Sequence, residues 1–289
     1  MLSAFLPLCN NVFGIDKEAE MRCLKFMSDQ DYNSALPCFN QLISMESNNA
    51  NLYGLRAGVY SGLGETQKAI DDINVVINID TSNAMAYATR GSLNIILGKN
   101  DAGLKDISYA ITELDKMDGN DILASSLYQQ RASVYDKIGN YEKAASDFIS
   151  SSKILKRVDD QYQVKEMIMS NNENICMIYL KSKQYDKSIP YCKTSATGNN
   201  AIDLKNNLAS AYIENGRHQD AIDVINSIAK IDMNIVSYLN LAVAQKNLYK
   251  LKKDAKYNEE YEKNMKIAEE KAKTTEQRDM VMNVLRRVS

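Results

Sequence analysis

Tryptophan is absent from the 289 residues, and histidine occurs once, at His218. A histidine-based metal centre or a nucleophile–His–carboxylate triad therefore has almost nothing to be built from. Only 3 Pro and 12 Gly are present, too few punctuating residues for a β-sandwich or a turn-rich α/β fold. No run of eighteen apolar residues exists, which excludes a spanning helix on sequence grounds. Lys plus Arg total 35 against 37 Asp plus Glu, so the basic surplus that phosphate contacts require is missing, and nucleic acid is not an expected partner. The five cysteines, at 9, 23, 38, 176 and 192, never stand in Cys-x-x-Cys spacing, which argues against zinc. No phosphate loop and no nucleophile beside a base is found. What remains is a chain with 45% hydrophobic and 25% charged residues, enough for a real core and suited to a helical, non-enzymatic protein without a cofactor.

Residues 1–14 are apolar, from Met1 through Leu8 to Val12-Phe13-Gly14, and the first positive charge is Lys17. The stretch has the hydrophobic half and the small-residue end of a secretory signal but lacks its basic start. Two readings stay open: the remnant of a signal peptide, with export ahead of a cytoplasmic location, or an apolar stub packed on the first helix.

The rest of the chain repeats. Tyr53-Gly-Leu-Arg-Ala-Gly-Val-Tyr60-Ser-Gly-Leu-Gly64 aligns with Tyr128-Gln-Gln-Arg-Ala-Ser-Val-Tyr135-Asp-Lys-Ile-Gly139, and each is followed five residues later by Ala69 or Ala144. With the turn residue as anchor, seven units sit at Gln30, Gly64, Gly98, Gly139, Lys183, Gly216 and Tyr249, spaced 34, 34, 41, 44, 33 and 33. Seven residues before the anchor stand small side chains: Cys23, Ala57, Gly91, Ala132, Cys176, Ala209 and Ala242. Five after it stand Ala35, Ala69, Gly103, Ala144, Ser188 and Ala221. Bulky residues four before (Phe26, Tyr60, Tyr135, Tyr179, Tyr212) and nine after (Phe39, Ile73, Ile107, Phe148, Ile225) fill the space between two close antiparallel helices. A single such hairpin cannot bury its apolar faces, so the units must stack into a helical solenoid.

This small–large–small alternation over 34 residues resembles the tetratricopeptide repeat (TPR), and the resemblance covers most of the chain. It implies an all-α fold, a right-handed superhelical solenoid of about seven hairpins over 15–258, closed by C-terminal capping helices over 259–289. The proline that usually closes each unit is missing, and the last unit fits poorly after Tyr249. The long spacings place seven and ten extra residues near 114–121 and 154–164, where lengthened helices are expected to distort the superhelix.

A charge pair follows the repeat. Eight residues before the anchor come Arg22, Arg56, Arg90 and Arg131, then Ile175, Leu208 and Leu241; eight after it come Cys38, Asp72, Asp106 and Asp147, then Tyr191, Val224 and Tyr257. Asp accompanies Arg, and apolar accompanies apolar. This predicts structural ion pairs Arg56–Asp72, Arg90–Asp106 and Arg131–Asp147 across the hairpins. Arg22 faces Cys38 and breaks the scheme.

The resemblance also implies that the first helix of each unit lines the concave surface. Nine residues before the anchor that face carries Met21, Leu55, Thr89, Gln130, Asn174, Asn207 and Asn240. The last three make an asparagine row, and an amide offers both a donor and an acceptor to a peptide backbone. Gln130, Asn174, Asn207 and Asn240, with Met177, Asn206 and Asn247 beside them, are the candidate peptide-binding residues. Gln129, Ser133, Asp136, Lys137, Lys181, Ser210 and Lys246 complete a mixed polar surface. The first units offer Glu20, Leu24, Gly54, Leu55, Gly58, Thr89 and Ser92 instead of a Lys–Arg–Asn clamp for carboxylates. The partner implied is a protein or extended peptide in the concave groove. The alternative is an assembly factor working through its convex face or C-terminal helices.

Cys176 and Cys192 occupy facing slots, either as two reduced core thiols or as a disulfide in an oxidising compartment. Cys23 and Cys38 are one register step from that arrangement and are not expected to meet. His218 follows the Gly216 turn and is expected to be exposed. Residues 250–287 carry eleven basic and eight acidic side chains, a mixed pattern typical of a solvated helix face.

Overall fold

The computed structural model describes residues 17–116, 119–158, 162–197 and 201–288. Residues 1–14, and with them Cys9, lie outside the described residues. Among the described residues every regular element is an α-helix, and the helices form seven consecutive hairpins followed by a single final helix. The hairpins are α1 Lys17–Ser28 with α2 Tyr32–Met45, α3 Ala50–Gly62 with α4 Thr66–Ile79, and α5 Ala84–Ile96 with α6 Asn100–Leu114. They continue with α7 Asp121–Lys137 and α8 Tyr141–Leu155, α9 Tyr162–Lys181 and α10 Tyr185–Ser195, α11 Ile202–Glu214 and α12 His218–Asn226, and α13 Ile235–Lys252 with α14 Ala255–Lys271. The last helix is α15 Thr275–Val288. The chain divides into two compact units, Met1–Asn120 and Asp121–Ser289.

The turn chemistry sets the repeat. Gln30, Gly64, Gly98, Gly139, Lys183 and Gly216 all adopt positive φ, between 58° and 77°, so each anchor ends its first helix in the left-handed conformation that reverses the chain. The seventh anchor is not Tyr249. That residue lies inside α13, and the left-handed residue is Lys253 (φ 58°). Four further residues of helix, one turn, precede the reversal, which explains the poor fit after Tyr249. The 258/259 boundary consequently falls inside α14. The extra residues of the long spacings extend the starts of α7 and α9, which run 17 and 20 residues against 13 in α3 and α5.

Packing follows the slots. Ala57, Ala132, Ala209 and Ala242 before the anchors, and Ala35, Ala69, Ala144 and Ser188 after them, are essentially fully buried. Gly91 and Gly103 let their helices approach closely: a Cβ on either would stand 2.8–3.0 Å from the carbonyl oxygen of the other. The bulky partners Phe39, Ile73, Ile107, Phe148 and Ile225 are buried as well. Each contributes about 1.5–3 kcal/mol by leaving water. Cys23, Phe39, Leu42, Leu52 and Val59 form one cluster joining the first two hairpins. At the other end Val281 and its neighbours Val284 and Leu285 on α15 cover Ile235, Leu239 and Ala242 of α13, as a terminal cap must.

The three ion pairs form as the spacing predicts. Arg56 holds Asp72 through Nε (2.8 Å) and Nη2 (2.7 Å), Arg90 holds Asp106 at 2.8 Å on both, and Arg131 holds Asp147 at 2.7 and 2.8 Å. All three aspartates are buried. The Arg56 and Arg90 pKa values are raised by the hydrogen bond to their aspartate against the cost of burial. At Arg131 desolvation is the largest influence and lowers the pKa, but the Asp147 hydrogen bond and charge outweigh it and the net shift is upward.

The cysteines correct one expectation. Cys176–Cys192 are joined, and so are Cys23–Cys38. The small-residue slot draws the helices so close that successive positions on the second helix both lie within reach of it. The Cα–Cα distances are 5.5 Å for Cys23–Cys38 and 4.9 Å for Cys176–Cys192, inside the usual disulfide range. The break in the charge scheme at Arg22 is explained by the same bond, because Cys38 takes the aspartate position. His218 also departs from expectation: it is half-buried, its Nδ1 is enclosed without a partner, and desolvation lowers its pKa despite the Glu214 charge.

Candidate functional site

The asparagine row stands on α9, α11 and α13, all in the C-terminal unit. Asn174 is exposed and donates to the Ser170 carbonyl one turn back, at 3.0 Å. Asn207 is half-buried, and its Nδ2 meets the Met177 sulfur on α9 at 3.1 Å. Asn240 donates to the Asn206 carbonyl at 3.1 Å and accepts from Ser210 Oγ at 3.4 Å. Adjacent first helices are thus tied by the candidate residues themselves. Gln130 and Asn247 are half-buried.

Asn206 is placed differently from its neighbours. It is 2% exposed, and its Nδ2 donates to Asn234 Oδ1 at 3.1 Å, while its own Oδ1 is buried with no partner. It lies beneath the row and not on it. Gln129 likewise turns inward, donating to Asn171 Oδ1 at 2.8 Å. Asn171 is 1% exposed and donates to Ser151 and Ser152 at 2.9 and 3.0 Å, so this buried amide is fully paired.

Between α7 and α9 a pocket of about 140 Å³ is lined by Ser133, Lys137, Asn174 and Met177 over a floor of Phe148 and Ile178. One side is closed by Lys181 Nζ on Asp136, at 2.7 Å. At the far end Arg287 of α15 pairs with Glu214 of α11, so the C-terminal helix is fastened two residues before the Gly216 turn. Asn240 on α13 stays half-exposed.

Sequence reasoning missed two groups. Asn40 and Asn74 each accept the third nitrogen, Nη1, of Arg56 and Arg90 at 2.8 Å, which couples one hairpin to the next. Both stand sixteen residues before their arginine, so a second search at that spacing would have found them. Asn234 caps α13 through Ser237 N at 3.1 Å and also receives Asn206 and donates to Asp203. No repeat position marks it, because it lies in the irregular connection after α12.

A profile of the tetratricopeptide repeat matches residues 125–153, the hairpin of α7 and α8. No curated protein matches the chain in sequence. Among solved structures, the C-terminal part of a TPR repeat-containing protein from Cytophaga hutchinsonii superposes with a TM-score of 0.61 at 15% identity, covering 91% of this chain and 98% of that one. A tetratricopeptide repeat protein from Parabacteroides merdae gives 0.51 at 17% identity over 94% and 98%. YrrB, described as a TPR protein with an unusual peptide-binding site, gives 0.52 at 14% identity over 65% and 89%. The profile match identifies a tetratricopeptide repeat at α7–α8, and the recurring hairpin with its left-handed anchors has the fold of solved tetratricopeptide-repeat proteins.

Proposed function

We propose that the chain is a non-enzymatic interaction module that binds a protein or extended peptide along the first-helix face of its C-terminal unit. The observation that carries this is the row Asn174, Asn207 and Asn240, one carboxamide per hairpin, with the Met177 pocket beside it. Each amide that exchanges its internal partner for a backbone group gains only ~0.5–1.5 kcal/mol, so recognition takes several in register. The peptide-binding neighbour YrrB lends the reading support at the level of fold.

A triple Asn174→Ala, Asn207→Ala, Asn240→Ala variant used as bait in native extract tests it. Loss of the partner that wild type recovers is expected; undiminished recovery favours the second reading, contact through the C-terminal helices. That reading draws on a pocket of about 510 Å³ between α12, α13 and α14, lined by Lys230, Lys256, Lys263 and Tyr257. Two disulfides fit an exported protein working in an oxidising compartment. Mass spectrometry of the mature N-terminus tests export: a chain starting at Met1 contradicts it.

A further inference from the structure

The pocket of about 510 Å³ between α12, α13 and α14 stands where two departures from the repeat coincide. Helix α12 runs 9 residues where α2, α4, α6 and α8 run 14 or 15, so it stops about one and a half turns early. The chain crosses to α13 through the irregular stretch 227–234, whose Ile228 and Met233 are buried and line the pocket. On α13, Gln245 occupies the slot that holds Phe26, Tyr60, Tyr135, Tyr179 and Tyr212 in other hairpins. A slimmer side chain there leaves open the space that an aromatic ring would fill.

The charges around the pocket are unpaired. Lys256 and Lys263 on α14 flank Glu260 at spacings of four and three residues, at which a helix ordinarily pairs carboxylate with ammonium. Gln245 holds the carboxylate instead: it is 4% exposed, donates from Nε2 to Glu260 Oε2 at 3.1 Å and accepts from Asn264 Nδ2 at 2.9 Å. Asp223, the other acid of the lining, accepts from Gln219 at 3.0 Å. Among the described residues neither acid pairs with Lys256, Lys263 or Lys230, the third lysine of the lining. Three unpaired ammonium groups therefore line a cavity whose apolar side is Ile222, Ile228, Met233 and Leu241, all buried.

We infer that this pocket binds a small organic anion, its carboxylate or phosphate head met by Lys230, Lys256 and Lys263 and its apolar body seated on Ile222, Ile228, Met233 and Leu241. The volume is that of a small-molecule site. No residue of α10 or α15 enters the lining, so the pocket does not run on along the stack as a channel for an extended chain would. A cationic ligand would meet three like charges, and a bare inorganic anion would leave the apolar side uncovered. The pocket shares no residue with Asn174, Asn207 or Asn240, and the inference does not rest on that row.

The test titrates octanoate, octyl phosphate, octylamine and inorganic phosphate into the full chain, isotope-labelled at its methionine methyl groups. Met233 reports on the pocket and Met177 on the first-helix face, each signal assigned by its Leu variant. At least one octyl anion is expected to move Met233 saturably and to leave Met177 in place, with octylamine and inorganic phosphate weaker by about ten-fold or more. A Lys230→Gln, Lys256→Gln, Lys263→Gln variant, changed at exposed positions where folding is not at stake, is expected to weaken the anion by about ten-fold or more. Gln245→Tyr restores the aromatic filler and frees Glu260 for its flanking lysines, and is expected to weaken the anion too, its melting temperature showing that it folds. A Met233 signal unmoved by both octyl anions, equal binding of octylamine or inorganic phosphate, or unchanged affinity in the lysine variant or in folded Gln245→Tyr overturns the inference. A Glu-rich dodecapeptide that moves Met233 at lower concentration than either anion overturns it in favour of a polypeptide.

Discussion

Arg90 grips Asp106 of its own hairpin through Nε and Nη2, and its remaining nitrogen, Nη1, reaches Asn74 of the preceding hairpin at 2.8 Å. One planar cation therefore fixes both the closure of a repeat and its seating on the next. Removing Asp106 strands a guanidinium whose side chain is only 24% exposed. Asp106→Ala is expected to cost on the order of 3 kcal/mol, whereas the double change Arg90→Leu with Asp106→Val costs less, because the uncompensated charge leaves with its partner. Chemical denaturation of both variants checks the ordering; equal losses refute the coupling.

Asn74→Ala isolates the connection between hairpins. It leaves the Arg90–Asp106 pair intact and removes one charge-assisted bond, for an expected loss of ~1–2 kcal/mol. An Asn74→Ala protein as stable as wild type in the same denaturation series shows that the inter-hairpin bond contributes nothing.

The first and fifth hairpins use a disulfide where the second, third and fourth use an ion pair. Each closes a short loop, with sequence separations of 15 and 16. A bond of that span stabilises by about 3 kcal/mol through the unfolded state. Reductant is expected to lower the melting temperature of wild type and to leave a Cys38→Ser, Cys192→Ser double variant unmoved. Thiol titration of the unreduced, denatured full chain should find one reactive group, Cys9. Five would contradict the bonds.

His218 gives the fold an acid-sensitive point. Its folded pKa lies below the unfolded value of about 6.5 because burial disfavours the imidazolium. The unfolded chain therefore takes up the proton first, and stability falls as pH drops from about 6.5 through the folded pKa. His218→Gln is expected to melt with less change between pH 7.5 and 5.5 than wild type. Parallel pH profiles remove His218 as a cause.

The hairpins were legible because a turn residue, two small slots and two bulky ones must recur together at fixed distances. Six anchors and the three ion pairs could be read from that spacing alone. Lys253 could not, because one added helical turn moves the reversal without disturbing Ala242 or the other slots before it. The Cys23–Cys38 bond was missed because slot arithmetic treats neighbouring positions as distinct, while a closely packed pair of helices places both near the same partner. The burial of Asn206 and Gln129 depended on where Asn234 and Asn171 lie, and those residues follow no repeat.

The direct measurement is site-specific photocrosslinking in native cells, with a benzophenone residue at Asn207 on α11 or at Lys263, an exposed position on α14. Binding along the first-helix face predicts a discrete adduct from position 207 and none from 263. An adduct from 263 with none from 207 contradicts it.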